Sequence, residues 1–319
     1  MNIIKIGSQG NDVVLWQDFL KELGFYSGLI DGDFGRITDS ATKSFQKKHF
    51  LKDDGVVGNK TYSMAYKLGF LTSDCSELEA SLFKAHHLPK NEYAFGEGDY
   101  QWICLHHTAG WNNPYSTIDS WGRDSRGIVA TEFVVGGQKV TDGDSKYDGE
   151  ILQAFPEGGY GWHLGIGNNF MHRNTIGIEL NNFGFLTKGG FFSRVDGKKV
   201  FVNRKKDHFY TYVGTEISPN SSQVVELDKE FRGFKFWHKY SDEQIKKTFD
   251  LLKYLSERDG IDVRDGLPKL IKEKGIEAFD IVDRRMCENQ KGLWSHTNYT
   301  TAKTDVFPQQ EMIDMLLSL

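Results

Sequence analysis

Trp102-Ile103-Cys104-Leu105-His106-His107-Thr108-Ala109-Gly110 opens on an apolar run, reaches two adjacent imidazoles and ends in small residues. A short apolar run bounded in this way reads as a strand buried on both faces. Working outward, Ile128 to Val135 and Thr175-Ile176-Gly177-Ile178-Glu179-Leu180 are runs of the same kind. Helical patterns separate or follow them. The clearest begins at Ser241, where Gln244 completes a capping box. Ile245, Phe249 and Leu252 line one face of it, and Gly260 marks its end. Buried strands mixed with helices predict an α/β domain: a mixed central β-sheet flanked by helices. His106 and Glu179 then lie at or near strand ends, and His296, Lys303 and Asp305 lie on a loop. A rigid platform with loops above it is a common way to gather distant residues.

Those five residues have the chemistry of a zinc hydrolase site. Two imidazoles and a carboxylate leave one tetrahedral position of Zn²⁺ open for water. The remaining glutamate can take that water's proton, and the remaining lysine can face a developing oxyanion.

The whole chain sets outer bounds. Its 319 residues suffice for two domains. With 39% hydrophobic residues a packed core is expected, and a net charge of −5 speaks against a nucleic-acid binder. Cys75, Cys104 and Cys287 are odd in number and widely spaced, so no disulfide framework or Cys-x-x-Cys zinc pattern follows. Met1-Asn2-Ile3-Ile4-Lys5-Ile6-Gly7-Ser8 lacks the apolar h-region of a signal peptide. No later stretch approaches the ~20 apolar residues of a membrane span. The expectation is a soluble, monomeric product of the cytoplasm that makes no membrane contact.

Residues 3 to about 68 contain a short repeat. Asp31-Gly32-Asp33-Phe34-Gly35-Arg36-Ile37-Thr38 recurs as Asp54-Gly55-Val56-Val57-Gly58-Asn59-Lys60-Thr61. Asp-Gly makes a tight turn, and each Thr is expected to cap the helix that follows. Asp12 is expected to cap a helix whose apolar positions Trp16, Phe19, Leu20 and Leu23 share one face, with Gly24 ending it. The module reads as three helices. It resembles the peptidoglycan-binding domain of bacterial and phage wall hydrolases, with Gly7-Ser8-Gln9-Gly10, Gln17, Leu23-Gly24-Phe25-Tyr26, Ile30-Asp31-Gly32, Phe45-Gln46 and Asp54-Gly55 among the matching residues. The resemblance implies peptidoglycan as a partner. Between the modules, Ser76 to His87 reads as helical, and the adjacent His86 and His87 read as surface residues.

The C-terminal motifs carry a second resemblance. Leu105-His106-His107-Thr108-Ala109, Gly161-Trp162-His163-Leu164-Gly165, Thr175 to Leu180, and His296…Ala302-Lys303-Thr304-Asp305 occur in this order. The order resembles that of zinc N-acetylmuramoyl-L-alanine amidases, in the superfamily of type-2 amidases and peptidoglycan-recognition proteins that includes amidase-type phage lysozymes. The resemblance implies zinc ligands at His106, His296 and Asp305, a base at Glu179, support of the tetrahedral intermediate by Lys303, and substrate contact by His163. Alternation along a strand allows only one of His106 and His107 to face the metal, and the family pattern selects His106. Phage members can carry a tyrosine where Ala130-Thr131-Glu132-Phe133 stands here; this favours Glu179 as base and leaves Glu132 as a competitor. His172, His208 and His238 belong to no motif and read as structural or exposed.

The expected organisation is a peptidoglycan-binding domain over 1–70, a partly helical linker over 71–98, and an amidase domain over 99–319 with insertions at about 186–240 and 262–294. β-Formers at 199–202 and 209–213, between turn signals, predict hairpins in the first insertion. The implied function is cleavage of the amide between N-acetylmuramic acid and L-alanine by a phage or prophage endolysin, reaching the wall through a holin or another export apparatus. A non-catalytic peptidoglycan receptor and a zinc peptidase cutting within the stem peptide are the alternatives.

Overall fold

Three helices carry the N-terminal module: α1 (Asn11–Glu22), α2 (Arg36–Lys48) and α3 (Asn59–Lys67). In this computed structural model the described residues are 3–68, 70, 82–96 and 99–319. α1 turns Val13, Trp16, Phe19 and Leu20 inward. They join Phe45, Tyr62 and Phe70 in one core, where Trp16 meets Phe45, Tyr62 and Phe70 edge-on. Asp12 is not the cap of α1. Gly10, with φ 109°, holds that position, and Asp12 sits in the first turn, where a carboxylate favours the helix dipole. Gly24 follows the helix with φ +76°, the left-handed stop that glycine permits.

Thr38 and Thr61 are not caps either, because each is drawn inside by a buried glutamine. Gln17 Nε2 reaches Asp31 Oδ1 at 2.8 Å, Asp33 O at 3.0 Å and Thr38 Oγ1 at 3.1 Å. Gln17 Oε1 accepts the Asp31 and Gly32 amides. Gln46 repeats the arrangement with Asp54 Oδ1, Val56 O and Thr61 Oγ1, and accepts the Gly55 amide. The sequence repeat is therefore a duplicated amide clamp around an Asp-Gly turn. Gln46→Leu is expected to cost the module about 1–3 kcal/mol, since it strands buried donors and acceptors. Amide exchange of the full chain should then speed up across 36–62; unchanged protection there would show that the clamp adds nothing.

The chain forms two compact units, Met1–Leu82 with Tyr254–Gly260, and Phe83–Lys253 with Ile261–Leu319. The second unit is a mixed α/β structure. Its central sheet runs in the order Lys84–Ala85, Ile151–Gln153, Phe133–Val135, Thr175–Leu180, Trp102–His107, Gly292–Ser295. Four of the five neighbouring pairs are parallel, and Phe133–Val135 with Ile151–Gln153 is antiparallel. Strand Trp102–His107 is buried along its whole length, as its apolar run requires. The run from Ile128 is strand only over Phe133–Val135. Before it, the chain bonds to a crossing loop, with Trp162 N donating to Ile128 O at 2.6 Å. Of the helical reading over 76–87, residues 76–81 lie outside the described residues. Lys84–Ala85 is a strand, because the sheet edge offers it partners at Leu152 and Gln153.

Helix Asp242–Asp259 starts as expected, with Ser241 Oγ accepting the Gln244 amide at 2.9 Å. The Gln244 side chain does not complete the box. It donates to Val135 O and Asn181 O, both at 3.1 Å, and so pins the helix to the ends of two central strands. In the first insertion, Gly190–Val195 and Lys198–Asn203 form a hairpin. Asp196 and Gly197 turn it with φ of 49° and 76°, the paired positive angles of such turns. A five-stranded sheet of Glu216–Ile217, Phe209–Tyr210, Phe185–Lys188, Phe234–His238 and Val224–Phe231 follows in that order. The second insertion holds helices Leu267–Lys274 and Arg284–Asn289 with a 3₁₀ turn at Gly275–Asp280. It ends in Gly292–Ser295, which is the edge strand of the central sheet and not an appendage.

Cys104 and Cys287 are buried and free; Cys75 lies outside the described residues. Among the described residues no helix is long and apolar enough to cross a membrane.

Candidate active site

Three adjacent parallel strands end at one place. His106 is paired in register with Glu179 on the neighbouring strand. On its other side Leu105 is paired with Ser295, and His296 comes next. His296 thus opens the short helix His296–Tyr299 directly after a strand, whereas a loop position was expected. Lys303 and Asp305 follow in the loop beyond. The carboxyl ends of parallel strands are the usual place for a site in open α/β sheets.

The side chains converge. His106 Nδ1 lies 2.8 Å from His296 Nδ1. Asp305 Oδ2 lies 2.9 Å from His296 Nδ1 and 3.5 Å from His106 Nδ1. All three residues are buried. Burial, and then the charge of His296, pushes the His106 imidazole down to about 3, so its ring is neutral. Burial alone would raise the Asp305 carboxyl, but the charge of His296 and close contact with both imidazoles hold it well below the usual carboxylate range. Two imidazole nitrogens and a carboxylate oxygen facing one point form a donor set that fits a divalent transition metal.

Glu179 stands beside this cluster, half-buried on the face that His106 shares. Burial, and then the Asp305 charge, pushes its carboxyl up to about 8, with Lys303 pulling the other way. Lys303 is exposed at the rim. A cavity of about 600 Å³ is lined by His106, His163, Glu179, His296, Lys303 and Asp305 together. His107 points through the sheet instead, its Nδ1 2.8 Å from the Tyr240 hydroxyl, with Trp237 and Phe307 packed nearby. Glu132 is turned towards Gln153, which donates to its Oε1 at 3.2 Å. It is absent from the cavity lining, where Thr131 stands.

His163 has both ring nitrogens engaged with protein: Nδ1 lies 3.0 Å from His106 Nε2, and Nε2 lies 3.2 Å from Thr175 O. If Nε2 of His163 donates to that carbonyl, its Nδ1 is an acceptor and fixes the His106 proton on Nε2. That leaves His106 Nδ1 free for a metal. Orientation of this kind by an outer hydrogen bond is common around metal-bound histidines. His172 is buried and structural; its Nδ1 accepts the His163 amide at 3.2 Å and its Nε2 lies 2.8 Å from Ile166 O. Gly177 makes the close packing feasible: a Cβ there would fall 2.8 Å from Thr131 Cγ2 and 2.9 Å from His163 Nδ1. A glycine inside a strand is the sequence signal for such an approach, and the contact of His163 with His106 was otherwise invisible.

A second cavity of about 520 Å³ shares Thr108, Trp121 and Glu179 with the first. The exposed rings of Trp111 and Tyr212 line it, with the hydroxyls of Ser116 and Ser120. Tyr212 comes from the first insertion, so that segment does contribute to the groove.

A peptidoglycan binding domain model matches residues 9–64. The chain is 43% identical over 67 residues to the N-acetylmuramoyl-L-alanine amidase CwlM of Mycobacterium tuberculosis, covering 21% of this chain and 16% of that protein. It is 45% identical over 65 residues to the spore cortex-lytic enzyme of Bacillus cereus, covering 20% of this chain and 25% of that protein. It therefore spans a quarter or less of the length of these two relatives. The solved catalytic domain of XlyA is 13% identical, with 74% of this chain and 97% of that one covered at a TM-score of 0.36. The family model for N-acetylmuramoyl-L-alanine amidase matches residues 96–305, well over half of the chain, and the protein belongs to that family.

Proposed function

We propose that this protein hydrolyses the amide between N-acetylmuramic acid and the L-alanine of the stem peptide, with zinc held by His106, His296 and Asp305. The observation that carries the reading is the meeting of those three donor atoms, 2.8–3.5 Å apart, beside Glu179 on the adjoining strand. A zinc ion there supplies a Lewis acid and an acidified water. The protein's own residues do the rest. His163 orients His106. Glu179 takes the proton of the attacking water on a carboxylate oxygen and passes it to the leaving alanine nitrogen. A carboxyl pushed towards neutrality suits both transfers. Lys303 sets its charge against the carbonyl oxygen as negative charge develops there. The two-armed groove at Glu179 suits a substrate that extends to both sides of the scissile bond. The arm with Trp111 and Tyr212 offers aromatic faces and hydroxyls to it.

On this reading residues 1–70 hold the enzyme at its polymeric substrate and raise the effective concentration of the amidase domain there. The partnership of a wall-binding module with an amidase, and kinship with a spore cortex-lytic enzyme, fit a lytic role. We place the protein as a phage or prophage endolysin.

Mass spectrometry of muropeptides from digested sacculi tests the reaction. Free stem peptides beginning at L-alanine, with unsubstituted glycan, are expected. Cuts within the stem would make the enzyme a peptidase, and binding without release would make it a receptor.

A further inference from the structure

The first insertion turns back on itself at Arg232-Gly233, between Val224–Phe231 and Phe234–His238. The two residues have φ of 52° and 81°. Turns of this hand favour Asn or Asp before Gly, because both central residues need positive φ. A long side chain in the first position is uncommon, and an outlier of this kind directs attention to what the side chain does. The Arg232 side chain is only 10% exposed. Its Nη2 donates to Thr297 O at 3.1 Å and its Nη1 to Thr301 O at 3.2 Å. Its Nε lies 2.6 Å from Asp280 Oδ1 in the second insertion.

Thr297 follows His296, and Thr301 lies two residues before Lys303 and four before Asp305. Thr297 N also donates to Asp305 O at 3.0 Å, which closes the loop at its base. One guanidinium therefore grips the base and the middle of the loop, and ties it to both insertions. A planar fork with fixed donor directions suits this better than a point charge.

We propose that Arg232 is a positioning residue for the metal ligands, a role that rests on the zinc site proposed above. By fixing the 297–301 backbone it holds Asp305 Oδ2 against His296 Nδ1. The two insertions are then braces of the ligand loop.

Zinc affinity of the full-length protein, by chelator competition, and the visible spectrum of its cobalt(II) form test this apart from catalysis. Arg232→Asn places a residue that the turn favours, so the metal-free melting temperature should hold or rise. Zinc affinity should nevertheless fall about tenfold, the low end for residues that orient ligands, and the cobalt bands should shift. Arg232→Lys should behave similarly, since it keeps the charge and loses the fork. Asp280→Asn leaves both carbonyl bonds intact and removes a solvent-screened pair, so its loss should stay below about threefold. Wild-type affinity and spectrum in Arg232→Asn would overturn the proposal. So would a zinc loss matched by an equal fall in metal-free stability, which would make Arg232 a folding residue. Failure of the wild type to bind zinc would instead overturn the reading of the site.

Discussion

Glu179→Gln is expected to lower amide hydrolysis on sacculi by about 10²–10⁴-fold, the usual contribution of a positioned acid–base group. Binding to sacculi should be unchanged, because the substitution is isosteric and far in sequence from the N-terminal module. Activity within tenfold of wild type would remove Glu179 from the mechanism. The same variant has a stability signature. In the metal-free protein burial raises the Glu179 carboxyl from an ordinary 4.5 to about 8. Between those values the folded state keeps a proton that the unfolded state has released, so stability falls as pH rises. Gln has no proton to lose. The metal-free variant should therefore melt higher than wild type at pH 8, with the difference shrinking towards pH 5. A difference independent of pH would mean that the carboxyl is not held protonated by its surroundings.

Asp305→Asn is expected to abolish both zinc retention and hydrolysis. It removes the one carboxylate from a cluster whose other two ligands are imidazoles. The affinity loss should exceed the about 10–100-fold seen when only an orienting partner is lost. Wild-type enzyme stripped by a chelator should lose activity alike and regain it on adding zinc, whereas the Asn variant should not recover at equal zinc. Full activity after exhaustive stripping, with no zinc found by elemental analysis, would sink the metal reading.

Much of the fold was legible because burial leaves a mark on composition. The 102–105 and 175–178 runs hold few polar side chains since both faces of their strands are covered. Alternation separates His106 from His107 without any knowledge of the partner strands. Asp196-Gly197 announces its hairpin because few residues accept the paired positive angles. What was hidden depends on partners distant in sequence. Lys84–Ala85 is strand because an edge happens to be open beside it, and nothing local says so. Thr38 and Thr61 read as caps because their hydroxyls suit caps; the glutamines that claim them lie 21 and 15 residues earlier. His163 reaches His106 across 57 residues of chain. Arg232 sits in a turn whose preferred residues are short, and its meaning emerges only with the loop it grips.

The in-register pairing of His106 with Glu179 has a further consequence. Neighbouring strands in any sheet keep a separation of about 4.8 Å, fixed by backbone hydrogen bonds whatever the side chains are. The span from ligand to carboxylate is thus gauged by the peptide backbone, and substitutions in the surrounding core cannot readily stretch it. A slip of one residue would not adjust that span but would turn Glu179 to the opposite face and bring a neighbour in its place. For variation or engineering, the adjustable quantities here are side-chain length and loop tension, while the pitch between strands is a constant.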